Sequence, residues 1–345
     1  MKRLALVLTS LLCLCLLLFP SAALNGAKVG IGLWWEQVFP ALLPFFICCG
    51  MLERLGFLSL FYRRERLRLL PVFLFGALAG YPGGARLLGS CVERSALNRK
   101  EAQTMSYITN LCSPVFIMTI LSLGLYKNKS VFLPLFVSHV LTIAIFSALL
   151  KLPVSRPLSR TGLLPVPEAF AASIAEAMLS LLKVGGCIAI CAVVSECLFT
   201  VTSLSSPLAR ALIGGCIELT YGCRMLLETG LNLRFQLAFS AFFTAFGGFS
   251  IALQSLCFLK LANPLRYLGV KFAMGLCAGL VCYLIAPLLV PREIALALSI
   301  GKRELTNAIT TAGILFCSVV SLSFALLFAL IVKGKALERK PKEDG

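Results

Sequence analysis

The 345-residue sequence is poor in charge and nearly devoid of two residue types on which many catalytic and metal sites depend. Charged residues make up 14% of the chain, whereas about 25% is usual in a soluble domain. Asp occurs only at Asp344 and His only at His139. Aspartyl proteolysis, aspartyl-phosphate pumping, Asp-rich metal–diphosphate sites and His-based metal sites or triads are therefore excluded.

A nucleotide-binding loop and paired cysteines are also missing. The nearest approach to a phosphate loop is GARLLGSC at residues 84–91, which lacks the required Lys. The 15 Cys lie almost entirely in apolar segments, and no two of them are spaced as C-x-x-C. A free Cys packs as a small apolar residue. We therefore expect no enzyme, no cofactor and no metal centre.

Apolar runs are what the sequence has in abundance. Hydrophobic residues make up 59% of the chain, and mean hydropathy is +0.93. The apolar residues come in blocks of about 20, the length that crosses a bilayer. Because the net charge of +17 is concentrated between the blocks, it fits the positive-inside pattern and gives no reason to expect nucleic acid. The lipid bilayer is the expected partner, and association between copies of the chain is left open.

Apolar segments follow one another along the chain, and the first has two interpretations. Residues 4–19 follow Met1, Lys2 and Arg3 and resemble a signal peptide, but a retained span fits as well and is preferred. The further segments lie near residues 31–52, 69–91, 102–125, 130–151, 171–200, 208–227, 235–259, 267–290 and 307–332.

Two of these segments are interrupted and predict re-entrant hairpins, which enter and leave the membrane on one side. Residues 80–84 read GYPGG, and residues 218–222 read ELTYG. If both hairpins return, most of the 32 Lys and Arg residues fall on the cytoplasmic side, with Lys260, Arg266 and Lys271 counted among them. The competing interpretation of each segment is a kinked full span.

The two halves of the chain resemble each other. Residues 76–88 (GALAGYPGGARLL) align with residues 215–227 (GCIELTYGCRMLL), so that Gly83 matches Gly222. Further breaks in matching places are residues 109–114 with 246–250 and residues 39–44 with 183–186. One half starts inward and the other outward, as in inverted-topology repeats with broken helices.

The predicted fold is an all-α polytopic membrane protein with about eight spans and two re-entrant hairpins, arranged as inverted-topology repeats. The predicted parts are an N-terminal span or signal anchor (1–27), a first gate-like half (28–152), a cytoplasmic linker (153–170), a second gate-like half (171–290), and a C-terminal span with a basic tail (291–345).

Arg86 and Arg224 are the sharpest candidates for solute contact, because a charge inside a membrane segment is costly and usually has a role. Arg86 follows the glycine-rich break and opens a half-helix, where backbone N–H groups and a guanidinium together suit a carboxylate. The alternative is that each Arg reaches the lipid headgroups or pairs with Glu218 or Glu93.

Polar residues and glycines of the breaks complete the candidate site. Uncharged polar side chains at mid-membrane either orient a ligand or hold helices together; these are Asn110, Ser113, Ser250 and Gln254. The hairpin and break residues that permit tight turns and close approach are Gly80, Pro82, Gly83, Gly84, Gly222, Gly247 and Gly248. Glu196 and Glu218 are candidates for proton coupling, the alternative being structural pairs with Lys183 or Arg224.

Several of these motifs together resemble the YlbJ-type family of sporulation integral membrane proteins. The motifs are LWWEQVFPALLPFFI (33–47), GYPGGAR (80–86), EA (101–102), Asn110 with SP (113–114), and FGGFS (246–250) with Gln254. Their order and spacing match over most of residues 30–290. The family often has Lys where this chain has Arg86, a change that keeps the charge and alters the geometry.

The resemblance implies a nucleoside-recognition gate-type domain, production during sporulation of endospore-forming bacteria, and location in the outer forespore membrane. It also implies transport of dipicolinate, a small aromatic dicarboxylate, from the mother cell towards the forespore. We therefore expect a secondary transporter of a small organic anion. Two alternatives stay open, since one fold serves many functions: a permease for a nucleoside or another neutral solute, and a sporulation membrane partner that transports nothing.

Overall fold

The structure, a computed structural model, describes residues 2–57, 69–93, 95, 97–151 and 163–291. All secondary structure in these residues is helical, as the predicted all-α class requires. Within the described ranges, the helices long and apolar enough to cross a membrane are Pro20–Arg54, Lys129–Leu149, Val166–Val201, Leu233–Leu256 and Pro264–Leu289. The predicted span near 307–332 and the basic tail lie outside the described residues.

The helices are numbered along the chain, with α6 wound as a π-helix. They are α1 (Lys2–Leu18), α2 (Pro20–Arg54), α3 (Leu69–Ala79), α4 (Gly83–Glu93), α5 (Arg99–Thr109), α6 (Phe116–Leu125), α7 (Phe132–Leu149), α8 (Val166–Val201), α9 (Pro207–Ile217), α10 (Leu219–Leu226), α11 (Leu233–Phe246), α12 (Gly248–Phe258) and α13 (Pro264–Leu289).

The helix α2 continues through the predicted break at residues 39–44, so that this prediction is wrong. A π-helical turn, Trp34–Val38, ends two residues before Pro40, and Pro44 lies inside the helix. Proline removes a helical hydrogen bond, and a wider turn beside it absorbs the irregularity without ending the helix. The predicted boundary between residues 27 and 28 also lies inside α2.

The helix α8 is likewise unbroken, which corrects the second predicted break at residues 183–186. Gly185 has a packing role instead: a Cβ on it would lie 2.6 Å from the ring of Trp34. The indole of Trp34 donates a hydrogen bond of 2.9 Å to the carbonyl oxygen of Leu181. α8 begins at Val166, within the predicted linker 153–170.

The helices α2 and α8 pack along each other in antiparallel directions. Gly26 of α2 lies against Val193, whereas Gly50, at the other end of α2, lies against Ser173. Small residues let two membrane helices approach closely enough for backbone contact. This pair forms the long axis along which the candidate site is arranged.

The interrupted segments each form two short helices that pack on each other, α3 on α4 and α9 on α10. The helices have 11, 11, 11 and 8 residues. At 1.5 Å per residue none exceeds about 17 Å, whereas the hydrocarbon core is about 30 Å thick. In the second segment only Glu218 is non-helical, so Gly222 lies inside α10, against Gly215, and makes no turn.

The two predicted breaks that follow the hairpins are observed. α5 ends at Thr109, and the chain is non-helical from Asn110 to Ser113. α11 ends at Phe246, and Gly247 and Gly248 follow with φ of +83° and +72°. Glycine adopts this left-handed region without the steric cost that a side chain brings. Ser250, by contrast, lies inside α12.

The helices α11, α13 and α7 pack together. α13 carries Lys271, which is only 1% exposed. The charge count had placed this residue in a cytoplasmic loop, and that placement is wrong. α13 starts at Pro264, with Asn263 accepting a hydrogen bond from the N–H of Arg266, so that Lys271 lies two turns inside the helix.

Candidate functional site

A cavity lies where the two hairpins, the first break, the helix α12 and the α2–α8 pair meet. It contains about 410 Å³ of space unfilled by atoms, part of it open to the surroundings. Its lining residues are Val38, Leu42, Tyr81, Cys112, Ser113, Phe116, Val184, Ile188, Glu218, Leu219, Thr220, Ile251 and Gln254. We call this space the central cavity.

Glu218 is the charged residue of the central cavity wall. It is the single non-helical residue between α9 and α10, and it is 1% exposed. Its Oε2 accepts a hydrogen bond of 2.7 Å from the N–H of Tyr221, which caps α10. A carboxylate at a helix N-terminus is favoured by the free N–H groups there. No Lys or Arg of the described chain forms an ion pair with it, so the predicted pairs with Arg86, Arg224 and Lys183 are not observed.

Gln254 brings an unsatisfied acceptor to the same wall. Its Nε2 donates to the hydroxyl of Ser250 at 3.2 Å, but its buried Oε1 has no partner among the described residues. Ser113 also lines the cavity, and its hydroxyl oxygen accepts from the N–H of Phe116 at 3.1 Å, where it caps α6. Of the predicted polar residues, Ser113, Glu218 and Gln254 therefore come together.

Asn110 is fully buried, and its side-chain amide forms hydrogen bonds with other groups of the protein. Its Oδ1 accepts from the N–H of Ala85 at 3.3 Å, and its Nδ2 donates to the hydroxyls of Ser255 at 2.6 Å and Tyr267 at 3.1 Å. These bonds join the first break to α4, α12 and α13. The observed geometry is that of a residue holding helices together.

Tyr81 lines the central cavity and Lys271 lies behind it, and the sequence analysis named neither as a candidate site residue. The Nζ of Lys271 donates to the Tyr81 hydroxyl at 2.9 Å and to the carbonyl oxygen of Asn110 at 3.2 Å. The Tyr81 hydroxyl in turn lies 3.3 Å from the carbonyl oxygen of Thr244. Lys271 is the fifth residue of the apolar segment 267–290, and this position could have identified it as a charge inside the membrane.

Arg86 lines a second cavity of about 390 Å³, next to the central one along α2 and α8. Its guanidinium forms ion pairs with Glu53, at 2.8 Å, and with Glu176. Arg54 pairs with the same Glu176. These four residues, Glu53, Arg54, Arg86 and Glu176, join α2, α4 and α8, and we call them the first ion cluster. The partners suggested by sequence, Glu218 and Glu93, do not contact Arg86 in these pairs.

A second ion cluster lies at the other end of α8. Glu196 accepts from Arg210 at 3.0 Å and from the hydroxyl of Tyr221. This joins α8 to α9 and α10. Glu196 thus has a structural pair, as the alternative interpretation required, but its partner is Arg210. Lys183, one of the predicted partners, instead places its ammonium 5.0 Å from the centre of the Phe258 ring.

The remaining candidates are dispersed. Arg224 is exposed and lines neither cavity. Pro82 and Gly83 line the second cavity with Arg86, while Gly80 lies against Ser113. Gly84 lies against the carbonyl oxygen of Thr109, and Gly248 against that of Cys216. These contacts show the hairpins packed directly on the breaks. Among the described residues no group of three or more His, Cys, Asp or Glu is arranged to hold a metal.

The chain is similar to the sporulation integral membrane protein YlbJ of Bacillus subtilis (strain 168). The two are 26% identical over 285 residues, which cover 68% of this chain and 70% of the relative. No family model matches the chain, and no solved structure matches it. The similarity confirms the resemblance to YlbJ-type proteins, while the gate-type domain stays a prediction.

Proposed function

We propose that this chain, a YlbJ-type multi-pass membrane protein, is a secondary transporter whose solute occupies the central cavity. One observation supports the proposal above the others. The central cavity is bounded by the tips of both hairpins, the first helix break, the helix α12 that follows the second break, and both long helices. Solute sites of secondary transporters are typically formed by such discontinuous helices, at the interface of repeats near the bilayer midplane.

The order of the helices supports inverted repeats. A long helix, two short hairpin helices, a broken pair and a full-length helix occur in α2–α7 and again in α8–α13. The two long helices run antiparallel, as equivalent elements of an inverted pair do. On this proposal both hairpins are re-entrant and open to opposite sides of the membrane.

The two ion clusters have the positions expected of gates. Along α8, Glu176 precedes the cavity residue Val184 by the same distance as Glu196 follows Ile188, about 12 Å at 1.5 Å per residue. Each cluster ties α8 to a hairpin helix, α4 in the first cluster and α10 in the second. We propose that opening one cluster at a time gives alternating access to the cavity. Arg86 would then serve in a gate and meet an anion only when its cluster opens.

The proposed solute is a small organic anion, and by family resemblance it is dipicolinate. The relative's name associates it with sporulation, and we propose the same setting for this chain, with transport from the mother cell across the outer forespore membrane. Glu218 in the wall repels a dianion unless a proton accompanies the solute. We therefore propose that Glu218 links transport to protons.

A second candidate is a permease for a nucleoside or another neutral solute. Glu218 and the Oε1 of Gln254 favour it, because the wall offers acceptors and no unpaired cation among its lining residues. A sporulation partner that transports nothing would leave the central cavity without a role.

Transport can be tested with the purified full-length chain in liposomes loaded with dipicolinate. Release is followed as formation of the luminescent terbium complex outside, in parallel with release of labelled adenosine. We expect dipicolinate release well above that of protein-free liposomes and faster with an outward proton gradient, because the accompanying proton leaves with the solute. Release of adenosine alone would establish the second candidate. Release of neither solute would contradict both.

A further inference from the structure

Gln254 poses a problem that its protein neighbours do not solve. The residue is 3% exposed, its amide nitrogen is committed to Ser250, and its Oε1 has no hydrogen-bond donor within the described chain. Buried acceptors are nearly always satisfied, because leaving one unpaired costs free energy. Gln254 lines the central cavity, so a molecule in that cavity is placed to supply the missing donor.

Glu218 offers a second acceptor in the same wall. Its carboxylate accepts hydrogen bonds from the N–H of Tyr221 and from the N–H and hydroxyl of Thr220, and it has no cationic partner in the described part of the chain. The two carboxylate oxygens offer about four acceptor sites, so these three donors leave capacity for one more. An N–H or O–H group of a solute would be stabilised here, whereas a negative group would be repelled.

The other polar groups of the cavity are already paired. The hydroxyl of Ser113 caps α6, and that of Tyr81 receives Lys271 and lies near the carbonyl oxygen of Thr244. The rest of the wall is mainly apolar, with Val38, Leu42, Val184, Ile188, Phe116 and Ile251.

We infer that the central cavity binds a small solute with an apolar or aromatic body, at least two N–H or O–H donors and no net negative charge, and that Gln254 and Glu218 select it through those donors. This rests on the proposed function only in that a solute occupies the cavity. For dipicolinate it means that the form bound is the protonated acid and not the dianion. For a nucleobase-like solute it means recognition of ring or amino N–H groups.

Three probes built on the same 2,6-disubstituted pyridine ring separate donor recognition from charge recognition. Pyridine-2,6-dicarboxamide is neutral and carries N–H donors, its dimethyl dicarboxylate counterpart is neutral without donors, and dipicolinate at pH 8 is a dianion. Affinity for the purified full-length chain is read from the concentration dependence of its unfolding midpoint. We expect the diamide to bind at least tenfold more tightly than either of the other probes.

Substitution of the two acceptors assigns the effect to the cavity. Gln254→Met should weaken diamide binding about tenfold, the effect of one lost hydrogen bond in a buried site, and leave the diester unchanged. Glu218→Gln should raise affinity for the dianion. Gln236→Met is the matched control, because Gln236 is also buried but donates to the carbonyl oxygen of Leu231, outside the cavity. A variant that merely unfolds would lose diamide and diester binding together.

The inference is overturned if the diester or the dianion binds as tightly as the diamide, or if Gln254→Met keeps the diamide preference. It is also overturned if the folded protein binds no diamide. Its failure is distinct from failure of the transport proposal. Dipicolinate release from liposomes without any diamide preference would leave transport intact, and a diamide preference without dipicolinate release would remove dipicolinate as the solute.

Discussion

The amino group of Lys271 donates a hydrogen bond of 2.9 Å to the hydroxyl of Tyr81, from a position 190 residues further along the chain. The same amino group contacts the carbonyl oxygen of Asn110. The Tyr81 hydroxyl lies near the carbonyl oxygen of Thr244. The tip of the first hairpin is thereby tied to the break between α5 and α6 and to the end of α11. Any movement of this hairpin has to change that contact.

Lys271→Met and Tyr81→Phe should each destabilise the protein, but together by less than the sum. Both remove the same hydrogen bond, so the coupling should be about 0.5–1.5 kcal/mol. Unfolding of the four proteins of this double-mutant cycle in detergent measures it. Lys183→Met is the control, because Lys183 is exposed and lies over Phe258 instead. Fully additive effects would show that the contact contributes nothing.

Arg86→Gln should lower the stability of the folded protein by up to about 3 kcal/mol, since it leaves Glu53 without its partner in a mostly buried cluster. Arg86→Lys should be intermediate, because an ammonium keeps the charge without the two-pronged geometry. The double substitution Arg86→Gln with Glu53→Gln should recover much of the loss. Protein level in the membrane and thermal unfolding are the measurements.

Arg99→Gln is the control for Arg86, because Arg99 is exposed at the start of α5. If Arg86→Gln abolishes transport while stability and protein level stay at the wild-type values, Arg86 acts on the solute directly, as the sequence analysis predicted. Equal small effects of Arg86→Gln and Arg99→Gln would show that Arg86 neither stabilises the fold nor contacts the solute.

Gly30→Ala should destabilise the α2–α8 pair, whereas Gly32→Ala, two residues away on the same helix, should not. A Cβ on Gly30 would lie 2.7 Å from the Cα of Ala189, so backbones would have to separate at a cost of about 1–3 kcal/mol. A Cβ on Gly32 meets nothing within 4 Å, and Ala gains up to about 1 kcal/mol in helix propensity. Unfolding in detergent compares the two, and equal effects would contradict the observed packing.

Single cysteines at Ser95 and Glu228, in a background depleted of the native cysteines, should be labelled from opposite sides of the membrane. Ser95 follows the first hairpin and Glu228 the second, and both are exposed. Inverted repeats place these two loops on opposite faces. An impermeant thiol reagent added to right-side-out or inside-out vesicles makes the measurement. Labelling of both positions from one side would contradict inverted topology.

Local interruptions of the helices were predictable because glycine and proline act on their own backbone. The sequence located the turn before Gly83, the non-helical stretch at Asn110–Ser113 and the left-handed Gly247. The same reasoning failed at residues 39–44 and 183–186. There a π-helical turn accommodates the prolines, and Gly185 leaves room for the ring of Trp34, which lies on another helix. Whether a glycine breaks a helix or admits a neighbour depends on what packs against it.

By itself the sequence determined the helical membrane class, the position of most breaks and the family resemblance, because apolar length and backbone chemistry are local properties. Only the tertiary structure decided which polar groups meet: Arg86 pairs with residues 33 and 90 positions away, and Lys271 reaches Tyr81. In a membrane helix the lipid-facing and protein-facing sides are both apolar, so no amphipathic pattern marks the buried face. The partners of its few charges are therefore set by long-range packing.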